Sequence, residues 1–262
     1  MQGNRSNLNK EIIEFDMNVL KYIQDRRKKS PLHFTLIDPD KQEPEKAAEL
    51  AKKVEKAGGD AIIVGGSWGD AYGEKLDQTV YKIKDTCKLP VILFPSSAQQ
   101  ISKYSDAIFF MSLLNSRSTQ YVVEEQVKGA IYVKKYKLEA LPMAYLIVES
   151  NSNTAAAWVG DVKPIPRDKP EIAAAYSLAA KYFGMKFVYL EAGSGAKMSV
   201  PEEMIAAVKH TVNDMFVICG GGVRDAQTAK QKVKAGADII VTGTILETDE
   251  KKGLEIIKAI KS

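Results

Sequence analysis

One carboxylate stands directly before a glycine-rich run in residues 189–195, which read YLEAGSG. The preceding residues 186–190 (KFVYL) are apolar, β-branched or aromatic enough for a buried strand. Such a strand delivers Glu191 to a loop in which Gly193 and Gly195 let backbone N–H groups approach an anion closely. Glu191 is therefore the first catalytic candidate, although two glycines alone are also typical of an ordinary turn.

Similar strand ends recur further along the chain. Residues 216–219 (FVIC) run into 220–224 (GGGVR), and residues 238–243 (DIIVTG) run into Thr244. In an eight-stranded α/β barrel, the loops after the seventh and eighth strands, with a nearby helix N-terminus, often form a phosphate pocket. The pattern predicts a phosphate-binding barrel, provided that the chain supplies eight strands.

The chain supplies eight strand-like runs, most of them separated by helical periods. The strands are predicted near residues 32–38, 60–64, 91–94, 107–111, 142–148, 187–190, 216–219 and 238–241. The segments with the clearest helical spacing of apolar residues are 45–56, 119–137, 170–183, 201–211, 225–235 and 250–260. The 262 residues therefore predict one α/β domain over residues 1–262, a (β/α)8 TIM barrel, with residues 1–30 as a helical extension packed on it.

Composition places the chain among soluble proteins of the cytoplasm. It is 45% hydrophobic without a run long enough to cross a bilayer, and residues 1–10 are polar and lack a signal-peptide core. Cys87 and Cys219 are the only cysteines, and each lies beside apolar strand residues. Buried, reduced thiols are expected rather than a disulfide or a metal site.

The charge balance argues against a nucleic acid as partner. The net charge is +4 from 37 basic and 33 acidic side chains. Residues 26–29 (RRKK) close an amphipathic N-terminal helix that starts at about Leu8. We expect this cluster to be a solvated helix end, and a weak peripheral contact with anionic lipid headgroups is the alternative.

A second chemical centre follows the first strand, where residues 32–37 (LHFTLI) end in 38–41 (DPDK). That end of a barrel strand faces the active site, and Pro39 stiffens the turn that carries Asp38 and Asp40. Carboxylate oxygens suit Mg²⁺, which keeps several waters and binds through one or two acids plus substrate phosphates. A plain turn is the alternative, because Asp-Pro-Asp is ordinary turn chemistry.

Ser67 follows the second strand in a flexible run, residues 65–69 (GGSWG). The run lies at the carboxyl end of its strand and so at the same face of the predicted barrel. The hydroxyl of Ser67 is therefore a candidate to complete a metal or phosphate site.

Together these motifs resemble the geranylgeranylglyceryl phosphate synthase family, which also contains the bacterial PcrB-type heptaprenylglyceryl phosphate synthases. The motifs that carry the resemblance are residues 35–41 (TLIDPDK), 65–67 (GGS), 94–97 (FPSS), 189–195 (YLEAGSG), 220–222 (GGG) and 243–244 (GT). They fall at six strand ends between His33 and Thr244. The form of residues 35–38 and the extended N-terminus are similar to the second of the family's two sequence groups.

The resemblance implies a barrel modified around its third helix, which is replaced by a looser segment. Residues 98–105, too short for a full helix, agree with this. The implied reaction is prenyl transfer. The 3-hydroxyl of sn-glycerol 1-phosphate attacks C1 of an allylic polyprenyl diphosphate, forms an ether and releases pyrophosphate, as in archaeal-type membrane lipid synthesis. We expect the twenty-carbon donor, geranylgeranyl diphosphate, because residues 35–41 are similar to those of archaeal members.

The resemblance also assigns residues to sites. Asp38 and Ser67 match the family's Mg²⁺ site. The positions that match its glycerol-phosphate site are Tyr189, Leu190, Glu191, Ala192, Gly193, Ser194, Gly195, Gly221, Gly222, Gly243 and Thr244. Glu191 would orient the glycerol hydroxyls and accept a proton as the ether forms. Tyr189 would hold the same hydroxyl, and its alternative is a strand aromatic that packs beneath the loop.

The hydrocarbon tail requires an apolar groove. Its candidates are Phe94, Tyr104, Phe109, Phe110, Met111, Leu113, Leu114, Tyr121, Tyr132 and Tyr136, many of which are expected to be core or subunit contacts instead. By position after the fourth strand, Asn115, Ser116 and Arg117 are candidates to reach the diphosphate. Residues 149–169 form a long connection, expected as an active-site cover or, alternatively, a subunit contact.

Other features fit this interpretation or limit it. His33 and His210, the only histidines, are expected to be structural. Leu36 stands where certain relatives carry a lysine, so either Lys41 supplies that cation or the pocket is less basic. The resemblance implies a homo-oligomer, a dimer or a hexamer. The rival interpretations are another phosphate-binding barrel enzyme, such as a sugar-phosphate isomerase or a flavin-dependent oxidoreductase, and a non-catalytic phosphate-binding protein.

Overall fold

The computed structural model describes residues 17–69 and 72–261. Within them, eight parallel strands pair in chain order and close into a barrel through β1 and β8. The strands are β1 Leu32–Ile37, β2 Ala61–Val64, β3 Val91–Leu93, β4 Ala107–Leu113, β5 Glu139–Ile147, β6 Phe187–Glu191, β7 Phe216–Gly220 and β8 Ile239–Thr242. The predicted TIM barrel is confirmed, and each strand lies within a few residues of its predicted bounds.

Helices surround the barrel. They are α1 Val19–Arg27, α2 Pro44–Ala57, α3 Gly73–Thr86, α4 Glu125–Lys135, α5 Ala155–Val159, α6 Pro170–Tyr182, α7 Glu202–Thr211, α8 Ala226–Lys234, α9 Thr244–Thr248 and α10 Glu250–Lys261. A π-helical turn, Gln120–Glu124, leads into α4. Of the N-terminal helix expected from Leu8, the part before residue 17 lies outside the described residues.

Helix α3 is absent from the helices expected from sequence. Leu76, Val80 and Ile83 carry the helical spacing and are buried. The start of α3 lacks the usual signal, because Tyr72 at the N-cap makes no side-chain capping hydrogen bond. A helix with an apolar stripe but no capping residue is easily overlooked in a sequence.

The barrel is modified at its third connection, as expected. In the described residues 94–106, between β3 and β4, turns and bends replace a helix. Buried polar side chains hold this segment in place. Gln100 donates from Nε2 to the Gly66 carbonyl at 3.0 Å and accepts from the Ser96 N–H at 2.7 Å, while Ser102 donates to the Asp77 carboxylate. The third connection is thus fixed to the loop after β2.

Apolar side chains fill the barrel interior, and α1 packs against its lower end. Phe34, Phe109 and Phe187 are fully buried there, with the rings of Phe109 and Phe187 5.6 Å apart. Val19 and Ile23 of α1 join the same buried cluster. Helix α1 therefore covers the end of the barrel at which the strands begin. That the whole chain forms one domain stays a prediction.

Two buried aspartates fasten α1 beneath the barrel. Asp60, just before β2, accepts from the His33 N–H at 2.8 Å and pairs with Arg26 at 2.8 Å and with Lys261. Asp238, just before β8, pairs with Arg27 at 2.8 Å. The cluster 26–29 ends α1 as expected, and its two arginines, with side chains 41% and 35% exposed, also bind buried carboxylates. The lipid contact stays a prediction.

The remaining sequence features have structural positions. Cys87 and Cys219 are buried and free, and burial raises the pKa of Cys219 to about 12. His33 is fully buried with Nε2 2.9 Å from the Thr242 hydroxyl, and burial, with the charge of Lys261, lowers its pKa to about 3. His210 is exposed at the end of α7. Among the described residues, no helix is both long and apolar enough to span a bilayer.

Candidate active site

A large cavity opens at the carboxyl ends of the strands. Its volume is about 730 Å³, and residues at or just after the end of every strand contribute to its wall. This is the end of a β/α barrel at which active sites are built, because the loops there vary without disturbing the barrel. The cavity has three parts: a polar wall beside β1 and β2, a glycine-rich cradle beside β6 to β8, and an apolar arm beside β3 to β5.

The structure brings most of the predicted site residues together. Those that line the cavity are Asp38, Ser67, Tyr189, Glu191, Ser194, Gly195, Gly221, Gly222, Gly243 and Thr244. Leu190 and Ala192 are fully buried in the core between strands and helices, because side chains alternate between the two faces of a strand. Gly193 lies beneath the cavity wall and donates its N–H to Glu191. These three residues are not part of the cavity surface.

Glu191 is a buried carboxylate at the bottom of the cradle. It is 6% exposed, it accepts a hydrogen bond from the Gly193 N–H, and the hydroxyls of Tyr189 and Tyr145 approach it closely enough to favour its ionised form. Burial raises the pKa of the Glu191 carboxyl, while these contacts with its ionised form act in the opposite direction. In the described part of the chain no cation pairs with it. An acceptor of this kind can orient a substrate hydroxyl and take its proton.

Backbone conformation shapes the cradle opposite Glu191. Gly221 has φ of +79°, and a Cβ there would lie 2.4 Å from Glu191 Oε1 and 2.5 Å from the Gly193 nitrogen. Gly222 has φ of +69°, and a Cβ there would lie 2.8 Å from the Ser199 nitrogen. Only glycine satisfies both the left-handed conformation and the close approach at these positions. The cradle therefore presents backbone rather than side chains to the cavity.

Hydroxyl groups and one guanidinium complete the cradle. Ser194 Oγ lies 3.0 Å from Thr244 Oγ1, which joins the loop after β6 to the start of α9. Arg224 lines the cavity, and its Nη2 donates to the carbonyls of Gly195 at 3.1 Å and Ala196 at 2.9 Å. The guanidinium therefore fixes the loop after β6 and adds positive charge to this wall. Such a cradle suits a phosphate group.

Asp38 forms the polar wall beside β1 and β2. Burial raises the pKa of its carboxyl, and its Oδ1 accepts from the Asp40 N–H at 3.1 Å. A Cβ on Gly66 would lie 2.7 Å from Asp38 Oδ1, so the glycine lets the loop with Ser67 pass beside the carboxylate. Lys41 lines the same wall, with its Nζ 3.9 Å from Asp38 Oδ2. This wall thus holds the Asp38 carboxylate, one hydroxyl and one cation, whose Nζ also lies 3.3 Å from Glu247 Oε2.

Asp40, the other acid of this turn, is turned away from the cavity. Its Oδ1 is 3.2 Å from Lys75 Nζ. Among the described residues no group of three or more His, Cys, Asp and Glu side chains is placed to hold a metal. A lone carboxylate with a neighbouring hydroxyl nevertheless fits Mg²⁺, which takes few protein ligands where waters and substrate phosphates supply the others.

The apolar arm extends from the cavity centre between β3 and α5. The groove candidates that line it are Phe94, Phe109, Phe110, Met111, Leu113 and Tyr121. The other four lie elsewhere: Tyr104 packs against Tyr81 at 5.6 Å, Leu114 belongs to the core between strands and helices, and Tyr132 and Tyr136 contact each other on α4. The arm also contains Ile101 and Val133, which are not among the residues expected from sequence.

The segment 149–169 covers the arm, in agreement with the expected active-site cover. Ala155, Ala156 and Val159 of α5 line the cavity. Trp158 of α5 contacts Trp68 of the loop after β2 edge-on, with ring centroids 6.0 Å apart. These loops follow β2 and β5, which are three positions apart in the barrel, and they meet at the cavity rim with both indole rings largely exposed.

The residues after β4 do not reach the cavity, and the expectation that they contact a diphosphate is wrong in this structure. Asn115 donates to the carbonyls of Ile147 at 2.9 Å and Lys163 at 3.0 Å, and Ser116 donates to Gly160. Arg117 is exposed. The amide of Asn115 and the hydroxyl of Ser116 hold the covering segment in place, a role that no local sequence pattern indicates.

Tyr145 is the main cavity residue that sequence reasoning missed. It lines the cavity, and it pairs in register with Tyr189 of the neighbouring strand. A signal was present. Tyr145 precedes the last residue of its strand by two positions, as Tyr189 precedes Glu191. Aligning the predicted strands at their carboxyl ends would have placed the two tyrosines side by side.

Fold and cavity together define a β/α-barrel enzyme that binds a phosphate beside a long apolar group. The PcrB family pattern matches residues 23–261, and the chain belongs to this family.

Two similar proteins carry the same name. The chain is 57% identical over 230 residues to a geranylgeranylglyceryl phosphate synthase of Pyrococcus furiosus, covering 88% of this chain and 90% of that protein. It is 54% identical over 249 residues to one of Methanococcoides burtonii, covering 94% of this chain and all of that protein.

A solved structure is also similar. The crystal structure of (S)-3-O-geranylgeranylglyceryl phosphate synthase from Thermoplasma acidophilum, in complex with its substrate sn-glycerol-1-phosphate, matches with a TM-score of 0.88 and 43% identity, over 94% of this chain and 99% of that one.

Proposed function

We propose that this chain is a prenyltransferase that joins sn-glycerol 1-phosphate to geranylgeranyl diphosphate. The 3-hydroxyl oxygen forms an ether bond to C1 of the prenyl group, the bond from C1 to the diphosphate breaks, and pyrophosphate and one proton leave. One observation carries the proposal: a single cavity joins a phosphate cradle to an apolar arm, with Glu191 at their junction. The shared name of relatives at 54–57% identity supports the same reaction.

The glycerol phosphate belongs in the cradle. Its phosphate would accept hydrogen bonds from the backbone of Gly221 and Gly222 and from the hydroxyls of Ser194 and Thr244. Gly195 and Gly243 complete the wall beside it. The glycerol carbons then reach Glu191 and Tyr189, so that Glu191 accepts the proton of the attacking 3-hydroxyl. The complex named in the relative's crystal structure supports this end of the assignment.

The diphosphate belongs at the polar wall, with C1 of the prenyl group directed toward Glu191. Asp38 and Ser67 would hold Mg²⁺, which when bound stabilises the negative charge that develops on the leaving group. Lys41, which also lines this wall, adds a positive charge of the chain's own. It takes the place of the lysine that certain relatives carry where this chain has Leu36.

The apolar arm receives the hydrocarbon tail. Its aromatic and aliphatic walls remove the tail from water, and burial of each CH₂ is worth about 0.8 kcal/mol. The preference for a twenty-carbon tail stays a prediction, supported by the name of the relatives. A panel of donors of fifteen, twenty and thirty-five carbons would show which length gives the highest kcat/KM.

We further propose that the protein is a homo-oligomer in the cytoplasm. The support for oligomerisation is an exposed apolar stripe on the outer side of α4 and the turn before it, formed by Val123, Val127 and Ile131. Val127 is 65% and Ile131 73% exposed. Light scattering after size exclusion would give the mass of the native particle. A shift toward the monomer in Ile131→Glu would support this stripe as the contact.

The test of the reaction uses radiolabelled sn-glycerol 1-phosphate, Mg²⁺ and geranylgeranyl diphosphate. Label that moves into organic solvent after incubation demonstrates prenyl transfer. Label that remains in water with the purified protein and all three components present would overturn the proposal for this donor. The same preparation separates the rival interpretations, because a flavin-dependent barrel would be yellow and a phosphate-binding protein without activity would retain label on a filter.

A further inference from the structure

We propose that Tyr145 is a positioning residue for Glu191, and that its hydroxyl holds the carboxylate in the orientation that receives the proton of the glycerol hydroxyl. This inference rests on the proposed function, and it adds a residue from a third strand end to the reacting centre. It starts from the position of Tyr145 in the barrel.

Tyr145 and Tyr189 occupy the same layer of the barrel. They are directly paired residues of β5 and β6, and their rings are 5.2 Å apart at 84°. Two residues further along the same pair of strands, Ile147 is paired with Glu191. Because side chains on one face of a strand recur at every second residue, Glu191 stands above Tyr189 and diagonally above Tyr145. Both hydroxyls therefore approach the carboxylate from below.

Phe94 fixes the two rings. It stacks on Tyr189 at 5.4 Å and meets the edge of Tyr145 at 5.5 Å. Tyr145 is 7% exposed and Tyr189 1%. Since each ring is packed on its neighbours, neither hydroxyl can swing to another partner without disturbing the barrel interior. The hydroxyl of Tyr145 is thus supplied to Glu191 in a fixed direction.

The hydrogen bonds to Glu191 leave room for one more donor. An ionised carboxylate has roughly four acceptor positions. The Gly193 N–H donates to one of them, and the hydroxyls of Tyr189 and Tyr145 approach others closely enough to favour the ionised carboxylate. The position that remains is on the side of the cavity, where a substrate hydroxyl would lie. Tyr145 therefore helps to determine which part of the carboxylate faces the substrate.

The same contact affects the protonation of Glu191. The titratable groups that interact with it are Tyr145 on β5, Tyr189 on β6 and Cys219 on β7. Both tyrosines and the thiol are neutral at physiological pH, because burial raises the pKa of each. Hydrogen bonds to the ionised form lower the pKa of Glu191, so loss of one should raise it. A base with a higher pKa is deprotonated only at higher pH.

The test compares Tyr145→Phe with Tyr81→Phe. Tyr81 is half-exposed on α3 and contacts Tyr104, outside the cavity. Because a hydrogen bond to a charged group is stronger than one between neutral groups, Tyr145→Phe should lower kcat roughly tenfold, and the acidic limb of its pH profile should move to higher pH. The KM for the prenyl diphosphate should stay within about twofold, because loss of one hydroxyl leaves the ring of Tyr145 and the walls of the apolar arm in place. Tyr81→Phe should match wild type in all three measurements.

A second variant does not depend on how well Tyr145→Phe folds. Replacement of Tyr145 by 3-fluorotyrosine keeps the ring and the hydroxyl but strengthens the hydroxyl as a donor. The acidic limb should then move in the opposite direction, to lower pH. If the wild type is active and the acidic limb of the pH profile is unchanged in both variants, the proposed role of Tyr145 is wrong but the proposed reaction still stands. An inactive wild type would instead overturn the proposed reaction.

Discussion

Buried carboxylates are paired with cations at one end of the barrel and largely lack them at the other. At the lower end, Asp60 and Asp238 are almost fully buried, and each is paired with two cations of the chain and with a backbone N–H. At the mouth, Glu191 has only neutral donors among the described residues, and Asp38 has one cation, 3.9 Å away. Burial raises the pKa of both mouth carboxyls.

This difference separates structural from functional charge. A buried carboxylate that lacks a cation is unfavourable, so a fold retains one only where a ligand or a reaction uses it. The lower acids are neutralised by the chain itself and contribute to stability. The mouth acids retain free acceptor capacity for substrate groups. Substitutions at the two ends should therefore have separable effects on activity and on folding.

The largest effect is expected for Glu191→Gln. The amide keeps the size of the side chain but cannot accept the glycerol proton as a base, so kcat should fall roughly 10²- to 10⁴-fold. The melting temperature should remain within a few degrees of wild type, because no ion pair is lost. Steady-state kinetics and thermal unfolding measure the two effects. Glu171→Gln, on the exposed first turn of α6, is the matched control. Glu191→Gln with near-normal kcat would remove Glu191 from the reaction.

Asp38→Asn should impair activity through the divalent ion. We expect kcat/KM to fall roughly 10²-fold and the Mg²⁺ concentration for half-maximal activity to rise, because a carboxylate ligand is replaced by a neutral amide. A magnesium titration at fixed substrates measures this. Asp40→Asn is the comparison, since Asp40 faces Lys75 rather than the cavity. Equal magnesium dependence in both variants would contradict the assignment of Asp38.

Asp60→Asn should show the reverse pattern at the lower end. It leaves Arg26 and Lys261 without their partner, and Lys261 is only 18% exposed. Removal of one member of a buried pair commonly destabilises by 3–5 kcal/mol, and partial solvation of these cations reduces the expectation to about 2–3 kcal/mol. Urea unfolding gives the free energy of unfolding. The kcat of the folded enzyme should stay within about twofold, and a selective loss of kcat would contradict the separation of the two ends.

The stability of the lower end should also depend on pH through His33. Burial lowers its folded pKa to about 3 from 6.5, so the unfolded chain binds one more proton between these values. Its contribution to stability is complete above pH 6.5 and is lost as the pH falls, by about 1.4 kcal/mol for each pH unit. Urea midpoints of wild type and His33→Gln between pH 7.5 and 5 measure this. The slope of wild type should exceed that of the variant, and parallel slopes would contradict a neutral His33.

The smallest effect is expected for Arg117→Ala. If the Arg117 guanidinium bound the diphosphate, its removal would raise the KM for the prenyl substrate. The structure instead places Arg117 on the surface, outside the cavity wall. We expect kcat and both KM values to stay within about twofold of wild type. A tenfold increase of the KM for the diphosphate would show that the mouth rearranges when the substrate binds.

Sequence reasoning reached furthest where one local signal fixes position. A strand that runs into a turn or a glycine-rich loop must place its last side chains at the barrel mouth. The residues adjacent in sequence therefore suffice to locate Asp38, Glu191 and Thr244. The same logic fails for contacts between distant segments. No residue adjacent to Asn115 in sequence indicates that its amide donates a hydrogen bond to the carbonyl of Lys163. No residue adjacent in sequence to Arg26 or Arg27 indicates that these arginines pair with the aspartates that precede β2 and β8.

Tyr145 and α3 escape sequence reasoning for different reasons. Tyr145 becomes visible only when two strands are aligned in register, which depends on the barrel rather than on its neighbours in sequence. Helix α3 has the right periodicity, but its start lacks a capping side chain and so has no clear beginning. Tyr145 was not predicted because its position depends on long-range geometry, and α3 was not predicted because its local sequence signal is weak.

The contacts of Asp60 have a consequence for how the barrel comes apart. Its carboxylate joins the β1 backbone at His33, Arg26 of α1 and Lys261 of α10, and it lies just before β2, which pairs with β1. The first and last helices of the described residues are therefore fastened to the start of the barrel at one point. Amide protons along β1 and β8 should exchange with deuterium only when the entire molecule opens, because neither end can peel away while the other stays attached.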